Sequence, residues 1–165
     1  MNVLITGGTG TLGQALVSEL MYMNAERICV YSRDEHKQAE MREAFPDPQK
    51  KLRWFIGDVR DQERLRRAFH GLDCVIHAAA MKRVEVSEAN PFEAVQTNII
   101  GSQNVAEAAL DCGVPKVLAI STDKAHAPTT LYGATKLCAE RMFIAWNAYA
   151  GRSSTRFSVV RFGNI

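Results

Sequence analysis

The sequence predicts an α/β chain built on a doubly wound parallel sheet, and two observations carry that reading. Short runs of apolar, β-branched residues recur at 3–6, 27–31, 52–56, 74–77, 117–121 and 158–162. Between them lie segments whose apolar residues return at helical spacing. Strands that are apolar throughout are buried on both faces, and helices between them let neighbouring strands run parallel. Six strands and five connecting segments, each helical at least in part, make one domain over residues 1–165, with expected strand order 3-2-1-4-5-6.

Each element has its own warrant. The first helix carries Leu12, Leu16 and Leu20 four apart, on one face. The second ends at Pro46 and Pro48, and the third at Gly71. The long stretch 91–112 carries Val95, Ile99, Val105 and Ala109, and Gly113 and Pro115 close it. Leu137, Arg141 and Ala145 continue the helical pattern in the last helix. No internal repeat, low-complexity tract or linker interrupts the alternation.

Composition narrows the function. Hydrophobic residues are 47% and charged residues 23%, which excludes a globally disordered chain. The net charge of +2 gives no basis for electrostatic nucleic-acid binding. No apolar run approaches the roughly 18 residues of a membrane span, so no membrane partner is expected. Met1 to Thr6 read as the first strand rather than a signal peptide, which points to a cytoplasmic protein. Cys29, Cys74, Cys112 and Cys138 form no C-x-x-C pair and read as reduced packing residues, with no metal site.

The first turn carries the strongest motif. Thr6-Gly7-Gly8-Thr9-Gly10-Thr11-Leu12-Gly13 leaves the first strand and opens the first helix. In that context G-x-x-G-x-x-G is a dinucleotide fingerprint, and the sheet is a Rossmann fold. Gly7 makes the tight turn, Gly10 admits a pyrophosphate to the backbone, and Gly13 lets the helix pack close. Thr9, Thr11 and Leu12 complete the cradle, where free N–H groups and the helix dipole hold phosphate.

The second strand ends Tyr31-Ser32-Arg33-Asp34-Glu35, with Lys37 behind it. An acid at the ribose-reading position favours NAD and a base favours the 2′-phosphate of NADP. Arg33, with Ser32 and Lys37 as further donors, favours NADP; Asp34 keeps NAD open. Asp58, followed by Val59, ends the third strand, either as an acceptor for the adenine amino group or as a turn or cap aspartate. Ala78, Ala79 and Ala80 let a cofactor lie flat across the fourth strand end. His77 reads as a hydrogen-bonded structural histidine. Arg60, Arg64, Arg66 and Arg67 read as a solvated helix face.

Tyr132 and Lys136 lie four apart at the start of the last helix and share a face. A free phenol titrates near 10, and a nearby ammonium stabilises its phenolate. Tyr132 is therefore expected to remove a hydroxyl proton as a hydride leaves for nicotinamide, with Lys136 also placed to hold the nicotinamide ribose.

These motifs resemble the extended short-chain dehydrogenase/reductases. Phe55 to Asp61, His77 to Lys82, Asn90-Pro91, Thr97 to Gly101, Ser121-Thr122-Asp123-Lys124 and Leu131-Tyr132-Gly133-Ala134-Thr135-Lys136 are similar to one branch. That branch is the UDP-N-acetylglucosamine 4,6-dehydratases of polysaccharide and nonulosonate biosynthesis, the C5-inverting type in particular. The resemblance implies Asp123 as the acid for the leaving C6 hydroxyl and Lys124 as the base for the C5 proton. A base needs a neutral Lys124, through burial or a neighbouring positive charge such as Lys136. Lys82, Thr122 and Asn164 then lie toward the nucleotide-sugar. Asn98 either approaches the nicotinamide or bonds the backbone of the fourth strand. A homo-oligomer is implied, with Phe143, Trp146 and Tyr149 of the last helix at the pairing.

The chain reaches Arg161-Phe162-Gly163-Asn164-Ile165, where the sixth strand ends in the resembled family and a substrate domain follows. The expectation is a Rossmann domain with its substrate domain missing, either as an N-terminal fragment or as a natural short chain. His126 to Thr130, Arg83 and Glu85 depart from the resembled pattern in loops expected to face the sugar. Beside the dehydratase stand a nucleotide-sugar epimerase or reductase, which does not need Lys124 as a base, and a non-catalytic dinucleotide-binding module.

Overall fold

The computed structural model describes residues 1–163. Its first half runs β1 (Asn2–Thr6), α1 (Thr11–Tyr22), β2 (Arg27–Ser32), α2 (Glu35–Ala44), β3 (Leu52–Ile56), α3 (Gln62–Phe69) and β4 (Cys74–His77). The second half runs α4 (Val84–Ala89), α5 (Pro91–Val95), a π-turn (Gln96–Ile100), α6 (Gly101–Asp111) and β5 (Lys116–Thr122). A 3₁₀ turn (Asp123–Ala125), α7 (Leu131–Tyr149) and β6 (Arg156–Phe162) complete it. The six strands form one sheet in the order β3-β2-β1-β4-β5-β6, all pairs parallel. This is the expected doubly wound order.

Two cores explain why the strands are apolar throughout. Val3, Leu4 and Ile5 of β1 are completely buried, and alternation along the strand divides them. Val3 and Ile5 join Val17 and Leu20 of α1 and Met41 of α2 on one face. Leu4 joins Leu65 of α3, Val105 of α6 and Phe143 of α7 on the other. Each such side chain contributes roughly 1.5–3 kcal/mol by leaving water. The buried stripe of α1 is Gly13, Val17 and Leu20, whereas Leu12 and Leu16 stay half-buried. The expected Leu12–Leu16–Leu20 face is thus rotated, because Gly13 is the residue that approaches the turn.

The stretch after β4 is more broken than its periodicity suggests. Asn90 caps the end of α4, and Pro91 opens α5 at a position where its missing N–H costs nothing. The π-turn then shifts the helical register before α6. The arginines near α3 are not simply solvated. Arg66 pairs with Asp111, Arg64 donates to the Ile56 carbonyl at 2.9 Å, and Arg60 bridges Asp58 and Glu93.

His77 ties the middle of the sheet to the helices. Its Nδ1 lies 2.8 Å from the Thr6 hydroxyl and its Nε2 lies 3.0 Å from the Ser102 hydroxyl. Its ring stacks on Phe143, centroids 5.9 Å apart. Burial, with Lys136 adding to the effect, lowers its pKa to about 3. The folded chain therefore holds His77 neutral while the unfolded chain takes up a proton near its ordinary value. Stability should be lost as pH falls from about 6.5 toward about 3, at roughly 1 kcal/mol per pH unit. Denaturant titrations at about pH 6 and about pH 5 check this, with His77→Gln expected to lack that part of the slope. Equal slopes in the two proteins would contradict it.

Candidate active site

All the strands end on one edge of the sheet, and their turns enclose a cleft of about 580 Å³, within the range of small-molecule sites. The glycine-rich turn makes its floor. Gly7 has φ +69°, and a Cβ there would lie 2.9 Å from the backbone of Ala79. Its N–H donates to the Tyr31 carbonyl at 2.8 Å. A Cβ on Gly13 would stand 2.4 Å from the Gly8 oxygen, so α1 packs against the turn itself. Gly10 caps α1 without any side-chain hydrogen bond. The first-turn N–H groups and the positive end of the helix dipole thus face the cleft. Thr9, Thr11 and Leu12 line it with them, as do Ala78, Ala79 and Ala80.

The β2–β3 side of the cleft is cationic. Ser32, Arg33, Lys37, Asp58 and Val59 line the cleft. Asp34 also borders it, but its carboxylate accepts the Lys37 backbone N–H at 3.0 Å and caps α2. Asp58 takes the Arg60 backbone N–H and guanidinium at 2.9 Å and 2.8 Å, with Arg33 at 3.5 Å. Burial would raise the Asp58 carboxyl, but these cationic partners hold it below its ordinary value. Asp58 is therefore a turn aspartate that still faces the cleft.

The opposite side carries the titratable groups expected to transfer protons. Thr130 caps α7 by accepting the Gly133 N–H, and Glu88 of α4 accepts the Leu131 N–H at 2.8 Å. These caps fix the start of α7, where Tyr132 and Lys136 are both buried and both face the cleft. A Cβ on Gly133 would lie 2.3 Å from the Lys124 carbonyl oxygen, so α7 presses directly on the turn after β5. That turn brings Thr122 and Lys124 to the wall, while Asp123 between them is exposed and not among the lining residues. Lys124 Nζ stands 3.4 Å from Asp123 Oδ1, and the Thr122 hydroxyl donates to the same carboxylate at 3.0 Å. The Thr122 bond and the Lys124 charge hold the Asp123 carboxyl below its ordinary value.

Three expectations change here. Lys136 does not lower the Tyr132 phenol in this structure. Its ammonium donates to the Ile120 carbonyl at 2.7 Å. The phenol is raised by burial, with the Thr122 hydroxyl opposing and the Asp123 carboxylate adding to the rise. Lys124 is not buried, its side chain being 40% exposed, and its charged neighbour is a carboxylate. Asn98 does not reach the cleft. Its Oδ1 accepts the Met81 N–H at 2.8 Å, and its Nδ2 donates to the Met81 carbonyl and the Thr135 hydroxyl at 3.0 Å each. It bolts the loop after β4 to α7, and both of its N–H groups are spent within the chain.

Lys82 lines the cleft as expected, while Asn164 lies outside the described residues. Of the aromatics assigned to pairing, Phe143 belongs to the core, Trp146 packs against it, and Tyr149 is exposed. Arg83 also lines the cleft, and lining residues to which the sequence assigns no site role include Tyr31, Gly57, Thr97, Ile120 and Ser121. Each of these is next to, or one residue from, a residue that was singled out. The exception in kind is Thr97, which the π-turn places at the wall with its hydroxyl buried and without a partner.

A glycine cradle at a helix start, small residues opposite it and a Tyr-x-x-x-Lys helix define an extended short-chain dehydrogenase/reductase fold with a dinucleotide site. The chain belongs to the polysaccharide biosynthesis protein family, which it matches over residues 3–165. It is 52% identical over 165 residues to the inverting UDP-N-acetylglucosamine 4,6-dehydratase of Campylobacter jejuni subsp. jejuni serotype O:2, covering 99% of this chain and 49% of that one. Among solved structures it is similar to Pen from Bacillus thuringiensis, at 46% identity and TM-score 0.96, covering 99% of this chain and 50% of that one. It is also similar to DesIV, a dTDP-glucose 4,6-dehydratase from Streptomyces venezuelae with NAD and TYD bound. That match has 26% identity and TM-score 0.85, covering 98% of this chain and 55% of that one. The chain spans about half the length of the curated relatives it matches. Among the described residues, no helix is long and apolar enough to cross a membrane.

The Asn98 geometry gives a direct test. Asn98→Ala should cost about 2–4 kcal/mol of stability, because it strands buried polar groups of Met81 and Thr135. Denaturant unfolding measures that loss, and dinucleotide affinity at a temperature where the variant is folded should change little. A variant of normal stability with strongly weakened binding would return Asn98 to the cofactor.

Proposed function

We propose that this chain is the cofactor-binding and proton-transfer half of an NADP-dependent nucleotide-sugar 4,6-dehydratase acting on a UDP-N-acetylglucosamine-like substrate. The observation that carries the reading is the Asp123–Lys124 pair beside Tyr132 and Lys136 at the end of β5. An epimerase or reductase needs the tyrosine and lysine alone; elimination across C5 and C6 needs a further base and acid. The preference for NADP is supported by Arg33 and Lys37 at the cleft, and by the engagement of Asp34 as a helix cap, which withdraws it from ribose recognition. The dinucleotide supplies reversible hydride acceptance from C4 and its return to C6. Pairing of two copies is supported by exposed apolar residues, Phe92 on α5 and Ile144 on α7.

The residues divide the remaining work. Tyr132 takes the C4 hydroxyl proton as its phenolate, the minor form in a site where burial favours the phenol, and Lys136 holds the nicotinamide ribose. The 4-ketone that results acidifies C5–H. Lys124 takes that proton, and Asp123 gives one to the C6 hydroxyl, which leaves as water. This step needs a neutral amine and a neutral acid, whereas the pair rests as ammonium and carboxylate. The two forms contain the same protons and differ by one transfer along the 3.4 Å contact. Elimination starts from the neutral pair and ends at the ion pair, so no proton is lost or gained from outside. Lys124 then returns its proton to C5, and the proton that Tyr132 took from the C4 hydroxyl passes to Asp123, so that all three groups regain their starting forms.

Incubating the chain with NADP and UDP-N-acetylglucosamine in heavy water tests this, with mass spectrometry as the readout. The expected product has lost water and gained deuterium. Lys124→Ala should abolish exchange at C5 while dinucleotide binding persists. Persistent exchange in that variant would remove Lys124 from its role.

A further inference from the structure

Lys136 shares the lining of a second, small cavity with Glu140, one member of a charged pair that the proton transfers above do not use. Glu140 lies one helical turn beyond Lys136 on α7 and is 5% exposed. Arg161, near the end of β6, grips its carboxylate with two hydrogen bonds, Nε to Oε1 at 2.7 Å and Nη2 to Oε2 at 2.5 Å. Lys136, Glu140 and His77 border one small cavity of about 10 Å³. A buried carboxylate is retained at a desolvation cost, and that cost is met only where it has cationic partners.

We propose that Glu140, oriented by Arg161, is a positioning residue that sets the charge state of Lys136 in the cleft. The Lys136 ammonium is buried among the Ile120 carbonyl, the neutral His77 ring on β4, and Tyr132 and Glu140 on its own helix. Asp123 and Lys124 lie on the turn after β5, and Arg161 approaches from β6. Of these, Glu140 is the anion that counters the cost of burying Lys136. Burial alone drives the lysine toward its neutral form, and Glu140 resists the drop; the balance stands at about 8. Lys136 in turn helps hold the Glu140 carboxyl below its ordinary value, along with Arg161 and against burial. Arg161 acts in the opposite sense on Lys136, because its own charge partly neutralises the Glu140 anion. The two members of one ion pair should therefore move Lys136 in opposite directions, which a pair too distant or too well solvated to act on Lys136 would not do.

This inference rests on the reading of Lys136 as the group that holds the cofactor, but its test needs no turnover. Lysines of the ligand-free chain are labelled at Cε, and the Lys136 signal is identified by its loss in Lys136→Arg. Its titration is then followed by NMR. Glu140→Gln should lower the Lys136 midpoint by about one pH unit or more, Arg161→Gln should raise it, and Glu140→Asp should restore it most of the way. Unchanged midpoints, or shifts of the same sign in Glu140→Gln and Arg161→Gln, would overturn the proposal. If Glu140→Gln does not fold, Arg161→Gln decides alone: an upward shift supports the role and any other result refutes it. A chain that shows these shifts but neither binds dinucleotide nor exchanges deuterium would refute the proposed function and leave this inference standing.

Discussion

The site depends on the contact between two backbone turns, Gly7 after β1 and Ala79 after β4. All six strands are parallel, so every strand delivers its carboxyl end to the same edge. Between β1 and β4 the winding of the sheet reverses, and the turns part there to leave a crevice. The crevice is shallow-floored because Gly7 has no side chain and Ala79 almost none; a Cβ on Gly7 would fall within 2.9 Å of Ala79. Adding bulk at that contact would close the floor on which the phosphates are expected to lie. The cradle, the cationic rim of β2 and α7 beyond β5 are all placed relative to it.

Charge is distributed along the crevice by depth. At the β2–β3 end, Arg33 and Lys37 are exposed and Asp58 is held between Arg33 and Arg60. Such exposed pairs contribute little to stability and are free to rearrange around an anion. At the β5–β6 end two charges, Lys136 and Glu140, are buried and fixed, while Asp123 and Lys124 stay exposed beside them. Lys136 is tied to a backbone carbonyl, and Glu140 is gripped by Arg161. The first region suits recognition of a phosphorylated ribose, and the second suits proton chemistry that needs a set geometry. Between them stands His77, neutral and fully engaged with Thr6 and Ser102, which keeps the floor rigid without adding charge.

The architecture was legible because strand burial on two faces and helical spacing are strong local signals. The element classes, the strand order and the glycine turn all follow from them. The residues missed lie where tertiary contacts decide. Asn98 is next to cleft residues in sequence, yet its amide satisfies Met81 and Thr135, and only the fold brings those partners together. The π-turn at Gln96–Ile100 carries no local composition signal, and it moves Thr97 to the wall. The Lys136 environment was misjudged for a similar reason. Spacing puts Tyr132 and Lys136 on one face, but it does not reveal that the Ile120 carbonyl captures the ammonium or that burial raises the phenol.

The central claim is that the strand-end crevice of this chain takes a nicotinamide dinucleotide, with its adenine ribose at Arg33 and its nicotinamide near Tyr132 and Lys136. Saturation-transfer NMR on the chain with NADP, followed by competition with NAD, measures this most directly. The structure predicts saturation at both the adenine and nicotinamide protons of NADP, and retention of NADP against an equal concentration of NAD. Absence of saturation at either dinucleotide would contradict the claim.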